Sequence, residues 1–186
     1  MRRLGLLAAL ALGSLAVTAC STTPSAKRMR ARELGLAHAH PASVGLHVEG
    51  GGGLDSRISN EAFEEAVRAS LAEAGVFSDV VRIDQADFRL DAILGDCRQP
   101  AGGFDMTVEM TVLWSLSTAE PARIVWQALV ESQHTATVGD AFAGVVRMRE
   151  ATEGAARKNI EEALRRLAAA DLASRRHAGR PLTSHR

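Results

Sequence analysis

Residues 104–117 read FDMTVEMTVLWSLS, and this stretch decides the fold. Apolar side chains occupy every second position from Phe104 to Leu116, and the positions between them are polar except Leu113. Because successive side chains of a β-strand point to opposite faces, the pattern predicts a long strand with one buried and one solvated face. One solvated face is typical of an antiparallel sheet that helices cover on one side only.

Two further runs, 88–95 and 124–131, alternate in the same way and are connected to the long strand by turns containing glycine and proline. Three alternating runs joined by short turns predict an antiparallel meander. The turn length allows a register in which Trp114 faces Trp126 across the last two strands. Residues 44–49 alternate as well and predict a first strand.

The covering helices are predicted at 59–75 and 148–167. Ser59 is a suitable N-cap for the first helix, and Gly75 supplies the left-handed residue that ends it. The second helix has apolar residues at helical spacing with charged residues on its opposite side. The sequence therefore predicts an α+β fold in the order β-α-β-β-β-α, with a four-stranded, mostly antiparallel sheet and two helices on one face.

The N-terminus has the pattern of a secretory signal. Arg2 and Arg3 precede an uncharged run of leucine and alanine that is too short to span a bilayer. The run ends in Val-Thr-Ala-Cys at 17–20, which resembles the bacterial lipobox. The resemblance implies cleavage after residue 19, acyl chains on Cys20 and, because Ser21 is not aspartate, delivery to the periplasmic face of the outer membrane. The alternative is an ordinary secreted protein with a chance cysteine.

We therefore divide the chain into four parts. Residues 1–19 are a signal peptide, 20–42 the lipidated cysteine and a flexible tether, 43–172 a single α+β domain, and 173–186 a disordered basic tail. The tether carries a cluster of basic residues that is either solvated or in contact with anionic head groups of the membrane.

Charge argues against a nucleic-acid partner. Removing residues 1–19 removes two arginines and no acids, which leaves 20 basic against 22 acidic side chains and a formal net charge of −2. Such a balance gives no case for nucleic acid as a partner. With Cys20 lipidated, Cys97 is an odd thiol, for which burial is the commoner outcome.

The sequence predicts no metal site, no cofactor and no catalytic residue. Cys97 could act as a nucleophile only beside an activating base, and none is placed there by the sequence. Asp105 and Glu109 share the solvated face of the long strand, where carboxylates are ordinarily solvated. The glycines at 50–53 lack the spacing of a phosphate-binding loop and predict a mobile loop instead.

The surfaces left for a partner are the solvated face of the long strand and the glycine loop. The candidate contact residues are Thr107, Glu109, Thr111, Leu113, Gly50, Gly51, Gly52 and Gly53.

Two segments carry a resemblance to known proteins, ISNEAFEEAVRASLAEAGVFSDV at 58–80 and DAFAGVVRMREATEGAARKNIEEAL at 140–164. They resemble a family of uncharacterised proteobacterial outer-membrane lipoproteins, some of which carry an acetylglucosamine acyltransferase name. The order of elements is similar to the lipoprotein of the lipopolysaccharide-export barrel and to lipoprotein activators of peptidoglycan synthases. This resemblance implies the β-α-β-β-β-α fold and a location at the outer membrane. The chain has no hexapeptide repeat, which acyltransferases of that name are built from.

These observations favour an accessory lipoprotein that is anchored in the outer membrane and binds a protein complex of envelope assembly or of lipid or lipopolysaccharide transport. Two alternatives stay open. One is a lipid carrier that holds an acyl chain between helices and sheet, and the other is an enzyme acting on acyl or sugar groups of the envelope.

Overall fold

The computed structural model describes residues 23–36, 39–52, 57–100 and 102–172. The predicted signal peptide, Cys20 and the predicted basic tail lie outside the described residues. In chain order the elements are α1 (Ala26–Met29), β1 (His40–Glu49), α2 (Asn60–Ala74), β2 (Phe77–Val81), a single 3-10 turn (Ile83–Gln85), β3 (Phe88–Arg98), β4 (Met106–Thr118), β5 (Arg123–Ala136) and α3 (Gly144–Ala168).

The described strands form one sheet in the order β2-β1-β3-β4-β5. Strand β1 runs parallel to both β2 and β3, whereas β3, β4 and β5 form the antiparallel meander that the sequence predicts. The α+β class is confirmed, but the predicted count of four strands is wrong by one. The missed strand, β2, has five residues at the sheet edge, and only Phe77 of these is buried. It therefore lacks the alternation by which the other strands are recognised.

Helices α2 and α3 cover one face of the sheet, which we call the inner face. Trp114 of β4 lies at the centre of the core, fully buried, with its ring centroid 6.1 Å from that of Phe63 in α2. Its indole Nε1 donates a hydrogen bond of 2.9 Å to Oδ1 of Asn159 in α3. Asn159 in turn donates to the carbonyl of Val130 in β5 at 2.8 Å. A buried polar group is tolerated when its partners are present, and this one ties α3 to two strands.

Helix α2 begins and ends where the sequence predicts. The Ser59 side chain accepts a hydrogen bond of 3.1 Å from the Ala62 amide, and Gly75 ends the helix with φ +63°. Its amide donates to the carbonyl of Leu71 at 3.0 Å. These local signals are independent of the rest of the chain, which is why they can be read from the sequence.

Gly154 in the middle of α3 has a packing reason. A glycine there costs about 1 kcal/mol of helix propensity against alanine. The ring of His134 in β5 lies so close that a Cβ at position 154 would stand 1.9 Å from His134 Cδ2. The absent side chain therefore lets α3 approach β5 closely at this level.

The register of β4 and β5 differs from the predicted one by two residues. Trp114 pairs with Ala128, and Trp126 pairs with Leu116. The turn, which pairs Thr118 with Arg123, accounts for one of the two residues, and a bulge that inserts Val125 into β5 accounts for the other. Val125 and Trp126 are therefore both buried, while Ile124 is 61% exposed. A bulge changes the register without leaving a signal in the alternation of the partner strand.

The connection from β2 to β3 passes over β1 and explains the glycine at position 45. Strand β1 pairs with β2 up to the pair Gly45–Val81 and with β3 from the pair Val44–Phe88 onward. The connecting chain therefore has to pass from one side of β1 to the other at the level of these pairs. It crosses on the face opposite the helices, with Ile83 directly over Gly45. A Cβ on Gly45 would lie 2.5 Å from Cα of Ile83, which leaves room only for glycine.

The prediction of a flexible tether over 20–42 is wrong for its described part. Residues 23–36, which we call the N-terminal strap, lie across the helices, with Met29 and Ala31 buried at 0% and 1% exposure. Strand β1 then already starts at His40. Met29 and Ala31 are not recognisable as core residues in the sequence. They lie among basic residues, and the segment shows neither a helical nor a strand period.

Hydrogen bonds hold the N-terminal strap at both ends. The amide of Ser25 donates to Oε1 of Glu153 in α3 at 2.9 Å, and Glu153 is almost fully buried. The amide of Ala31 donates to Oγ of Ser70 in α2 at 3.0 Å. The strap therefore joins the two covering helices and belongs to the folded domain.

Candidate functional site

The outer face is the side of the sheet opposite α2 and α3, and none of the described α-helices lies on it, while the 3-10 turn crosses it at Gly45. Strand register aligns Ile93 of β3, Leu113 of β4 and Leu129 of β5 side by side across this face. Leu129 is 55% exposed, and the other two are half-buried. We call these three residues the aliphatic row. Single exposed leucines are ordinary, but three aligned on adjacent strands form a continuous apolar strip.

A depression of about 560 Å³ lies beside the aliphatic row. It forms where β3 bulges between Leu94 and Cys97, so that Gly95 presents no side chain over Thr111. Its polar lining comprises Asp96, Arg98, Glu109, Thr111, Glu131, Ser132 and Gln133. Three carboxylates face one guanidinium there, and we call it the acidic depression.

The charges of the acidic depression are only partly paired. Nη1 of Arg98 lies 4.0 Å from Oε2 of Glu109, and both side chains are exposed, so this ion pair is loose. Exposed pairs of this kind contribute about 0–1 kcal/mol. The depression therefore keeps a negative balance that suits a basic group on a partner.

The structure brings four of the predicted contact residues to this one face. Glu109 and Thr111 line the acidic depression, Leu113 is the centre of the aliphatic row, and Thr107 lies beyond them with its Oγ1 2.8 Å from Oγ1 of Thr135. Whether they bind a partner stays a prediction.

Sequence reasoning missed the neighbours of Leu113. The predicted register places Gln127 opposite Leu113, whereas the observed register places Leu129 there. Ile93 comes from β3, whose register against β4 was not predicted from the sequence. The signal that could have found them is the apolar residue in the polar set of each strand, since Ile93, Leu113 and Leu129 all break the alternation.

The glycine loop lies at the end of the aliphatic row, because Glu49 at the end of β1 pairs with Ile93. Its described part is held by two hydrogen bonds, and the mobility of the loop stays a prediction. The amide of Gly51 donates to Oδ1 of Asn60 at 2.7 Å, and the amide of Gly52 donates to the carbonyl of Ile58 at 2.7 Å.

Position 50 requires glycine for two reasons. Its φ of +84° is unfavourable for other residues, and an added Cβ would lie 2.3 Å from the carbonyl oxygen of Leu94. Gly53 lies outside the described residues.

The candidates for chemistry are not arranged as a catalytic centre in the described ranges. Cys97 is buried, as predicted, and Nε2 of Gln99 lies 4.0 Å from its Sγ. Asp105 and Glu109 are both exposed. Among the described residues, no group of three or more histidine, cysteine, aspartate or glutamate side chains could hold a metal ion.

The space predicted for an acyl chain, between helices and sheet, is filled. Phe63, Trp114 and Ile160 are each fully buried there. An acyl chain could enter this space only by displacing such core side chains.

A polar cluster lies where the N-terminal strap meets α3 and β5. His134 is half-buried there, and burial lowers the pKa of its imidazole, helped by the positive charges of Lys158 and Arg157. Asp140 in the following loop accepts from the amide and hydroxyl of Thr137 at 2.7 and 2.9 Å, and the bond from the amide is the main cause that lowers the pKa of its carboxyl. His134 and Asp140 line a small open depression of about 170 Å³, together with charged side chains of the N-terminal strap and α3.

The structure also bears on membrane insertion. Over the described parts of the chain, none of the helices combines the length and the apolar character needed to cross a bilayer.

No protein-family model matches the chain, and no curated protein matches it in sequence. Solved structures do match. Protein XCC0632 from Xanthomonas campestris, of the DUF330 family, is 12% identical with a TM-score of 0.58, over 73% of this chain and 87% of that one. The hypothetical protein CT253 from Chlamydia trachomatis is 9% identical with a TM-score of 0.51, over 69% and 96% of the two chains.

A minor lipoprotein from Acinetobacter baumannii is 10% identical over 68% of this chain and 90% of its own, but its TM-score is only 0.45. At these identities, the similarity to XCC0632 and CT253 shows a shared fold, and fold alone does not give function. The resemblance to the lipopolysaccharide-export lipoprotein and to synthase activators is not shown by these structures and stays a prediction.

Proposed function

We propose that this chain is an accessory lipoprotein of the bacterial envelope. Acyl chains on Cys20 hold it at the periplasmic face of the outer membrane, and it works by binding a protein of an envelope-assembly or lipid-transport complex. The lipobox-like segment supports the anchor, and the outer face of the sheet supports the binding role.

The observation that carries the proposal is the combination on the outer face of an aliphatic row and an acidic depression. An apolar centre beside polar groups is the usual composition of a binding surface between proteins. The inner face is fully occupied by its own helices, so the outer face is the side of the sheet that remains available.

The chemistry of the surface defines the partner. Asp96, Glu109 and Glu131 outnumber Arg98 in the depression, so a complementary surface carries lysine or arginine. To contact the aliphatic row, the partner needs exposed apolar side chains next to that lysine or arginine. Charge complementarity of this kind sets orientation and speeds encounter more than it adds affinity.

The test is crosslinking in the cell with the full-length lipoprotein, carrying a photoreactive amino acid in place of Thr107 on the outer face. We expect one dominant envelope protein to be captured. The double variant Leu113→Asp with Glu109→Lys should abolish this product, because it places a charge in the aliphatic row and reverses one in the depression.

A matched control carries the same kinds of charge change on α2, Ala72→Asp with Glu65→Lys, both at exposed positions. It should capture the partner as wild type does. Equal capture by wild type and the outer-face variant would show that the binding surface lies elsewhere. If no partner is captured at all, binding to a protein is wrong as the function, and the lipid-carrier and enzyme alternatives gain weight.

A further inference from the structure

The end of the sheet where β5 stops and α3 starts carries a second surface, formed by two loops. Phe104, just before β4, is 85% exposed, and Phe142, just before α3, is 92% exposed. The other three of the five phenylalanines, Phe63, Phe77 and Phe88, are at most 4% exposed. The contrast is informative, because large aromatic side chains are ordinarily removed from water.

The two loops are held together beneath these side chains. Arg147 of α3 is buried, and its guanidinium donates to the carbonyls of Ala141 and Phe142 at 2.8 and 2.5 Å. Its Nη2 also lies 3.4 Å from the carbonyl of Gly103. One side chain therefore binds the residue before Phe104 and Phe142 itself, which places both rings at one tip.

Two further apolar side chains are exposed at this end of the sheet. Val145 in the first turn of α3 is 51% exposed, and Val138 after β5 is 40% exposed. We call Phe104, Val138, Phe142 and Val145 the aromatic tip. A cluster of exposed apolar side chains on neighbouring loops marks a surface for contact with another apolar phase.

The attachment of the N-terminal strap limits which end of the molecule an anchor at Cys20 can bring to a membrane. Ser25 is bound to Glu153, eight residues along α3 from Val145, which corresponds to about 12 Å of helix. Only four residues separate Ser25 from Cys20, so the five steps of the chain between them span at most about 18 Å. The opposite end of the sheet, at the turn before β5, lies about 45 Å from the tip along that 14-residue strand.

We propose that the aromatic tip inserts into the membrane surface that holds the acyl chains of Cys20. The inference rests on the proposed lipid anchor. An anchor within about 18 Å of Ser25 brings the tip, and not the far end of the sheet, to the bilayer. Aromatic side chains at such a position bury into the boundary between head groups and acyl chains. The outer face of the sheet is then left accessible to a partner.

The test uses the full-length acylated protein in vesicles of phosphatidylethanolamine and phosphatidylglycerol, with phosphatidylcholine brominated on its acyl chains as the quencher. Phe142→Trp places a fluorophore at the tip, and Ile124→Trp places one at the opposite end, where residue 124 is also exposed. Wild type gives the background of Trp114 and Trp126. We expect the added tryptophan at 142 to be quenched about twofold more than that at 124, since bromine quenches only at membrane depth.

Flotation of the same vesicles measures whether the protein is bound to the membrane. It therefore distinguishes failure of the lipid anchor from failure of the tip to insert. If the protein floats and tryptophan at 142 is quenched no more than at 124, the tip does not enter the membrane, and the lipid anchor stands. If that tryptophan instead responds to protein concentration in detergent, the tip is a contact between copies. If the protein does not float, the lipid anchor and this inference are both wrong, while binding at the outer face is still decided by crosslinking.

Discussion

The two faces of β4 differ although their residues alternate along one backbone. On the inner face Trp114 is fully buried and hydrogen-bonded to Asn159, whereas on the outer face its neighbour Leu113 is half-buried between Ile93 and Leu129. The inner face is completed by the chain itself. The outer face has apolar groups without a cover from the described α-helices, and our proposal assigns these groups to the binding of a partner.

The comparison separates two kinds of substitution. A change on the inner face should act on folding, and a change on the outer face should act on binding while folding is preserved. The following predictions test that separation, beginning with the largest effect.

Trp114→Ala should lower the free energy of unfolding by about 3–5 kcal/mol, because it leaves a large cavity and removes the donor to Asn159. Leu113→Ala, one residue away on the outer face, should cost about 1 kcal/mol or less. Urea denaturation followed by circular dichroism measures both. Equal losses for the two variants would mean that the outer face is part of the core.

Gly45→Ala should lower the free energy of unfolding by about 1–3 kcal/mol, the range for a side chain forced into a packed site. Gly45 points to the outer face, but Ile83 crosses directly over it, so this position behaves like an inner one. Gly102→Ala is the control, because no atom lies within 4 Å of its added Cβ and its φ is not in the left-handed region. A neutral Gly45→Ala would contradict the tight crossing of β2 to β3.

His134 should give the smallest effect, a decrease in stability as the pH falls. Its pKa is lowered in the folded state, so below about pH 6.5 the unfolded chain binds a proton that the native protein does not. The free energy of unfolding should therefore fall as the pH decreases through 6.5 and level off below the folded pKa.

Urea titrations between pH 7.5 and 5.5 measure this dependence, and His134→Gln should flatten it. The lowered pKa of Asp140 acts only near and below its ordinary value of 3.8, outside that window. An unchanged slope in the variant would assign the dependence to other groups.

The sequence predicted what is determined locally. The cap at Ser59, the end of α2 at Gly75 and the alternation of β4 depend on residues close in the chain. Strand β2 was missed because an edge strand has little buried surface to impose a pattern, and the N-terminal strap because only Met29 and Ala31 of it enter the core.

The candidate site was predicted in part for the same reason. Side chains alternate along β4, so Thr107, Glu109, Thr111 and Leu113 lie on one face. This alternation can be read from the sequence without knowing the tertiary structure. The aliphatic row needs the register between strands, which the bulge at Val125 changes. The acidic depression needs the bulge in β3, and a bulge is set by packing on both sides of the sheet.

With the proposed lipid anchor on Cys20, the N-terminal strap would also limit which proteins this chain can meet. A free tether from residue 20 to 42 could extend over about 75 Å, far into the compartment. With the strap folded onto α2 and α3, an anchored Cys20 leaves the domain beside the bilayer. Encounter then becomes a two-dimensional search among proteins of the same membrane, at a high effective concentration. A partner fixed deeper in the periplasm would have to extend to the membrane to be bound.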